Sequence, residues 1–283
     1  SGKMESLLLL IKALLKAFTR KKERVTIPKR LTEEGKEIEP PLPTEETELV
    51  LKEPPRSIAK KQVKYIWCDG EKYPIEWGKV VTYREEPKWS LPSKNIKPHV
   101  SDRNVEQFVV HWDGCLSSKM CHKVLEGRGL SVHFCIDNDG TIIQLMDTNN
   151  IAWHARGVNT TSIGVEVSSA VYTKYAKKYK PRRPVWENVE CHGKQVGPIL
   201  GFTDEQVKAL KALTKAVCNR YKIPLQVPLN EKGELIRGVI SASAQNPKGW
   251  KYFKGVMAHY HLNKGKTDPA GLDLKEVVKD ETK

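Results

Sequence analysis

The alternation of apolar and polar residues predicts several short strands in the middle of the chain. Residues 108–110 form a β-rich apolar run that ends directly before His111. Residues 133–147 predict a hairpin, because two β-rich segments flank an Asp-Gly pair that can supply the positive φ of a tight turn. Ser162–Val167 is a further strand, with Glu166 near its end. A histidine and a carboxylate at the ends of strands in one sheet are well placed to face a common cleft.

One segment carries a clear helical signal. Thr203 followed by Gln206 is a capping box, which is typical of a helix N-terminus. Apolar residues then recur at helical spacing as far as residue 221, which predicts a helix that packs one face on the core. The residues of this apolar stripe are Val207, Leu210, Leu213, Val217 and Cys218.

The first 100 residues predict three segments that differ in composition. Residues 1–25 contain a short apolar helix, 7–18, that is too short and too charged for a bilayer span of about 20 residues. It also lacks the flanks of a cleavable signal peptide. Two roles are expected for such a helix. One is packing on the main domain or on a second copy, and the other is docking on a membrane surface or an assembly. Residues 26–62, rich in Glu, Lys and Pro, predict a flexible linker. Residues 63–100 regain aromatic and β-forming residues and predict a small β subdomain or an extension packed on the core.

The charge of the chain points to an anionic partner. The 283 residues carry a formal net charge of +14, with a pI near 9.4. An acidic membrane surface, an acidic cell envelope or nucleic acid would fit this charge, as would ordinary solvated lysines on a soluble protein. We predict no nucleic-acid partner, because the cations are scattered and no nucleic-acid-binding motif is present. The six cysteines form no metal-binding pairs, so reduced thiols are expected for most of them.

Four sequence blocks between residues 104 and 275 resemble a known family. The blocks VVHWD, HFCIDNDGTIIQL, AWHARGVNTTSIGVE and MAHYHLNKGKTDPAG occur in this order. They are similar to blocks of the zinc-dependent N-acetylmuramoyl-L-alanine amidases of the T7 lysozyme type and of the related peptidoglycan-recognition proteins. The resemblance implies an α/β fold in which a mixed central β-sheet is flanked by helices. It implies an amidase domain over residues 101–276, followed by a charged tail over residues 277–283.

The resemblance also implies a catalytic zinc ion. A catalytic zinc has three protein ligands and an open position, and it lowers the pKa of a bound water to about 7. His111, His259 and Asp268 match the ligands of the family, with His261 as the alternative to His259. Glu166 matches the general base of some members, and Val132 stands where others have a catalytic tyrosine. Lys266 matches the lysine that stabilises the oxyanion.

The same comparison implies a peptidoglycan-binding cleft. The substrate-binding residues that it implies are Trp153, His154, Arg156, Asn159 and Trp112, and the last could equally be a cross-sheet aromatic. Residues 169–200 depart from the compact family pattern and are either a surface loop or a lip of the cleft. Peptidoglycan-recognition proteins carry a disulfide at the spacing of Cys115 and Cys121.

Three hypotheses of function follow from this resemblance. The first is a zinc amidase that acts at the bacterial cell wall and cleaves the bond between N-acetylmuramic acid and L-alanine. The second is a peptidoglycan-recognition module without catalysis, and the third is a virion-associated protein that the N-terminal helix docks to an assembly. Because Glu166, Lys266 and Asp268 are all present, we favour the enzyme. A phage-encoded endolysin and a bacterial enzyme both remain open.

Overall fold

The computed structural model describes residues 62–98, 103–242 and 248–280. The predicted N-terminal helix (1–25) and all but the last residue of the predicted linker (26–62) lie outside this part of the chain, as do residues 281–283 of the tail. No helix within the described ranges is long and apolar enough to cross a membrane.

The described chain contains fourteen short strands and three α-helices. The helices are α1 (Ser118–Arg128), α2 (Asp204–Tyr221) and α3 (Leu274–Val277). In chain order the strands are β1 (Lys64–Cys68), β2 (Glu71–Ile75), β3 (Val80–Thr82), β4 (Ile96–Lys97), β5 (Gln107–Trp112), β6 (Phe134–Ile136), β7 (Ile142–Gln144), β8 (Ile151–Ala152), β9 (Ser162–Val167), β10 (Val185–Trp186), β11 (Glu190–Cys191), β12 (Lys194–Gln195), β13 (Ile199–Leu200) and β14 (Gly255–Ala258).

Six of these strands form a mixed central sheet in the order β14-β5-β9-β6-β7-β3. The neighbours β14, β5, β9 and β6 run parallel, β6 and β7 form the predicted antiparallel hairpin, and β3 runs parallel to β7. The glycine of the Asp-Gly pair in that hairpin, Gly140, has a φ of 81°, as the turn requires. The α/β fold with a mixed central sheet and flanking helices is confirmed.

Helix α2 covers the main hydrophobic core of the domain. The Thr203 side chain accepts a hydrogen bond from the Gln206 backbone, and the Gln206 side chain accepts one from the Thr203 backbone, so the capping box is formed. Leu210 and Leu213 are fully buried in the same cluster as Phe108 of β5. Burial of each leucine stabilises the fold by about 1.5–3 kcal/mol.

Residues 63–100 do not form a separate unit in the structure. Strands β1 and β2 pair through the two-residue turn Asp69-Gly70, whose φ values of 54° and 79° are those of a hairpin turn. Strand β3, however, is an edge strand of the central sheet. Parallel pairing therefore joins β3 to a strand some 60 residues later in the chain, as an extension packed on the core would be joined.

The insertion at residues 169–200 has its own compact structure. It contains a 3₁₀ helix (Thr173–Lys178), the pair β10 and β13, and the small hairpin of β11 and β12. Tyr179, Arg183 and Cys191 of this segment are buried, and Arg183 and Tyr179 hydrogen-bond to Gln206 and to the Cys115 carbonyl outside it. A plain surface loop does not describe this segment, because its buried side chains pack it onto the domain.

Candidate metal centre and cleft

Three neighbouring parallel strands, β14, β5 and β9, place candidate catalytic residues at or just beyond their carboxyl ends. In the register of β5 and β9, His111 lies directly opposite Glu166. In the register of β14 and β5, Ala258 lies opposite Val110, so His259 is the first residue beyond the end of β14. Parallel strands place their carboxyl ends together, and so residues distant in sequence meet there.

The side chains of His111, His259 and Asp268 converge on a single point. His111 Nδ1 lies 3.0 Å from His259 Nδ1 and 2.9 Å from Asp268 Oδ2, and His259 Nδ1 lies 3.1 Å from the same oxygen. Tetrahedral zinc, with bonds of about 2.0–2.1 Å, holds such donor atoms roughly 3.3 Å apart. Two imidazole nitrogens and one carboxylate oxygen therefore fit a zinc ion in both chemistry and spacing. Within the described ranges this is the one group of three such side chains close enough to hold a metal.

The protonation states of these residues suit metal binding. Burial lowers the pKa of His111, and the neighbouring His259 lowers it further, so the imidazole is neutral. Burial alone would raise the pKa of Asp268, but the hydrogen bonds with His111 and His259 outweigh it and hold the pKa well below its usual range. A neutral imidazole and an ionised carboxylate are the forms that bind a metal.

His261 is excluded as the ligand, because the fold already uses both of its ring nitrogens. The ring is fully buried; Nδ1 accepts a hydrogen bond from the Ala258 backbone at 2.9 Å, and Nε2 donates to the Ile236 carbonyl at 2.7 Å. His261 therefore links the end of β14 to the Ile236 segment through hydrogen bonds, while His259 lines the cleft.

His154 hydrogen-bonds to a candidate ligand and also lines the cleft, where the sequence predicted a substrate-binding residue. Its Nδ1 lies 3.0 Å from His111 Nε2, and its Nε2 lies 3.0 Å from Ser162 Oγ. With a metal on His111 Nδ1, His111 Nε2 would donate to His154 Nδ1, and His154 Nε2 would donate in turn to Ser162 Oγ. Such outer hydrogen bonds orient metal-binding histidines. Gly164 makes room for this ring, since a Cβ there would lie 2.5 Å from His154 Nδ1.

Asn159 likewise acts within the protein. Its Oδ1 accepts hydrogen bonds from the backbone N–H groups of His154 and Ala155, at 3.1 and 2.8 Å. The amide oxygen thus holds the turn that positions His154. Asn159 also lines the cleft, so its predicted contact with substrate stays a prediction.

Glu166 and Lys266 face the same cleft as the three candidate ligands. Glu166 Oε2 is buried and has no hydrogen-bond partner. Burial raises the pKa of Glu166 well above its usual range, and the carboxylates of Asp268 and Asp113 raise it further. Lys266 is exposed at the rim, and its positive charge favours the ionised form of Glu166.

The cleft is an open groove of about 590 Å³. Trp153 and Arg156 line it, and Trp112 lines it while its ring also packs on the main core. Helix α1 contributes Val124 and Arg128 to the lining. No role for this helix was predicted from the sequence.

Cys115 and Cys121 line the same groove as buried free thiols. The disulfide that the family resemblance implies at this spacing is therefore not formed in this structure.

Comparison with known proteins decides the family. The family model for N-acetylmuramoyl-L-alanine amidase, Amidase_2, matches residues 101–271. The chain belongs to this family. The matched segment contains every candidate ligand and catalytic residue described above. No curated protein matches the chain in sequence.

Solved structures of amidases and of peptidoglycan-recognition proteins are similar to this chain. Amidase LysC from Clostridium intestinale URNW is 18% identical with a TM-score of 0.40, and the match covers 70% of this chain and 94% of that one. AMPDH3 from Pseudomonas aeruginosa, solved with an anhydromuramic pentapeptide, is 20% identical with a TM-score of 0.39, over 64% and 61% of the two chains. Drosophila peptidoglycan-recognition protein SA is 15% identical with a TM-score of 0.37, over 70% and 89%.

Proposed function

We propose that this amidase-family protein is a zinc-dependent peptidoglycan hydrolase of the bacterial cell wall. It cleaves the amide that joins the lactyl group of N-acetylmuramic acid to L-alanine. The convergence of His111, His259 and Asp268 on one point beside Glu166 is the observation that carries this proposal. A recognition module needs the groove, but it needs neither a complete ligand set nor a carboxylate beside that set.

Each catalytic residue has a defined task in this proposal. His111, His259 and Asp268 would hold the zinc, which supplies Lewis acidity and a lowered pKa of water when bound. Glu166 accepts the proton of the attacking water and later passes it to the leaving amine nitrogen. Its unpartnered Oε2 leaves one carboxylate oxygen without a competing hydrogen bond.

A positive charge at the rim of the cleft stabilises the oxyanion that forms from the substrate carbonyl. The Lys266 ammonium faces the groove, where it offsets the negative charge that develops on the carbonyl oxygen. Trp153 and Arg156 provide an aromatic surface and a positive charge for the glycan and the peptide stem. Trp153 is 36% exposed, which leaves its ring available for such contacts.

Removal of the metal tests the proposal. The purified protein is expected to carry about one zinc ion per chain, to lose amidase activity on chelation and to regain it with stoichiometric zinc. Metal analysis and mass spectrometry of a defined muropeptide digest measure the two quantities in parallel. Full activity after verified removal of the metal would contradict the zinc mechanism. Tight binding of the muropeptide by the zinc-loaded protein without cleavage would favour a recognition module.

A further inference from the structure

The insertion at residues 169–200 reaches the loop that carries the candidate catalytic lysine. The hairpin of β11 and β12 turns at His192 and Gly193, and His192 Nε2 donates a hydrogen bond to the Lys266 carbonyl at 2.7 Å. These residues lie 74 positions apart in the sequence. Lys266 stands two residues before the candidate ligand Asp268, so this contact joins the insertion to the catalytic loop.

Contacts on several sides fix the position of His192. Its backbone N–H donates to the Arg237 carbonyl at 2.8 Å, and its ring meets the Tyr260 ring edge-on at a centroid distance of 6.4 Å. The backbone N–H of Tyr260 in turn donates to the Asp268 carbonyl at 3.2 Å. The imidazole therefore lies between the Arg237 segment and Tyr260, and Tyr260 contacts the loop of Lys266 and Asp268.

The turn itself does not account for a histidine at position 192. The residue has a φ of 54°, in the left-handed region where glycine is unstrained and asparagine, aspartate and histidine are the most frequent other residues. The turn therefore accepts a histidine but does not require an imidazole. What the imidazole adds is a donor long enough to reach the Lys266 carbonyl.

From this geometry we infer that His192 is a positioning residue for Lys266, and that the insertion forms part of the catalytic apparatus. The hydrogen bond fixes the backbone position of Lys266 and so restricts the region at the rim of the cleft that its ammonium group can occupy. The inference rests on the proposed function, since it assigns a partner to the lysine that stabilises the oxyanion. His192 itself touches no reacting atom.

Two substitutions distinguish the effect of losing the hydrogen bond from the effect of disturbing the turn. His192→Asn keeps a residue that tolerates the left-handed backbone, but its amide is too short to reach the Lys266 carbonyl. His192→Gln keeps an N–H donor at about the reach of Nε2. We expect His192→Asn to lower kcat roughly three- to tenfold, the range of one hydrogen bond, with KM and zinc content unchanged. His192→Gln should restore most of the lost kcat.

Hydrogen exchange provides a readout that does not depend on activity. The Lys266 backbone N–H donates to the Asn263 carbonyl at 3.1 Å, and this bond depends on the same loop. His192→Asn should speed exchange at this amide, whereas His192→Gln should leave it near the wild-type rate. Exchange in β5 and β9 serves as the internal control for overall stability.

A double-mutant cycle decides whether the effect passes through the lysine. In a Lys266→Ala background, which should itself lose about 10²- to 10³-fold in kcat, His192→Asn should cause no further loss. An additive loss, or a wild-type kcat in His192→Asn, would overturn the inference while the hydrolase function stands. A zinc-loaded wild type that cleaves nothing would overturn both.

Discussion

Glu166→Gln is expected to retain zinc and to lose roughly 10²- to 10⁴-fold in kcat, the usual contribution of a positioned general base. Glutamine keeps the shape and the hydrogen-bonding reach of glutamate but cannot accept a proton at neutral pH. Glu166 lies in register with His111 on the neighbouring strand and is not one of the three converging donors. The loss should therefore fall on the chemical step and leave metal binding intact.

The matched control for this substitution is Glu126→Gln. Glu126 is exposed on helix α1 and does not line the groove, so this variant removes the same charge without touching the site. Turnover of a defined muropeptide and zinc content are measured for both variants. A wild-type rate in zinc-loaded Glu166→Gln would assign the proton transfer to another group.

Replacement of His259 and replacement of His261, the two histidines beyond β14, should have opposite effects on zinc binding. His259→Ala removes one of three candidate ligands and is expected to abolish both stoichiometric zinc binding and activity. His261→Ala removes a ring that hydrogen-bonds only to the backbone of Ala258 and Ile236. This variant should keep most of its zinc and lose stability instead, because two buried backbone groups are left without partners.

Zinc content and thermal unfolding, measured on both variants, separate the two roles. The expected pattern is an empty site in His259→Ala and a lowered Tm with a filled site in His261→Ala. If the His261 variant is instead the one that loses zinc, the assignment of the ligand is shifted by two residues.

Local patterns in the sequence predicted the strands that carry the site and the helix that covers the core. The apolar run before His111, the strand that ends near Glu166 and the capping box at Thr203 are all signals within a few residues. They indicate where elements begin and end. The choice of His259 over His261 came from the resemblance, and the backbone contacts of His261 now supply its physical reason.

Non-local contacts explain what the sequence did not predict. His154 acts on His111 because Gly164, on a neighbouring strand, leaves room for its ring. The reach of His192 to Lys266 depends on how an insertion folds back over 74 residues. No periodicity within either segment indicates such a contact, so the roles of both residues can be recognised only in the three-dimensional structure.

Hydrolysis of a defined muropeptide in ¹⁸O-labelled water tests the central claim most directly. Attack of water on the lactyl carbonyl forms a new carboxyl group on the muramic acid and frees the amino group of L-alanine. We expect mass spectrometry to find a single ¹⁸O in the sugar product and none in the peptide, and we expect chelation to abolish both products. Label in the peptide, cleavage at another bond, or intact muropeptide with fully zinc-loaded protein would contradict it.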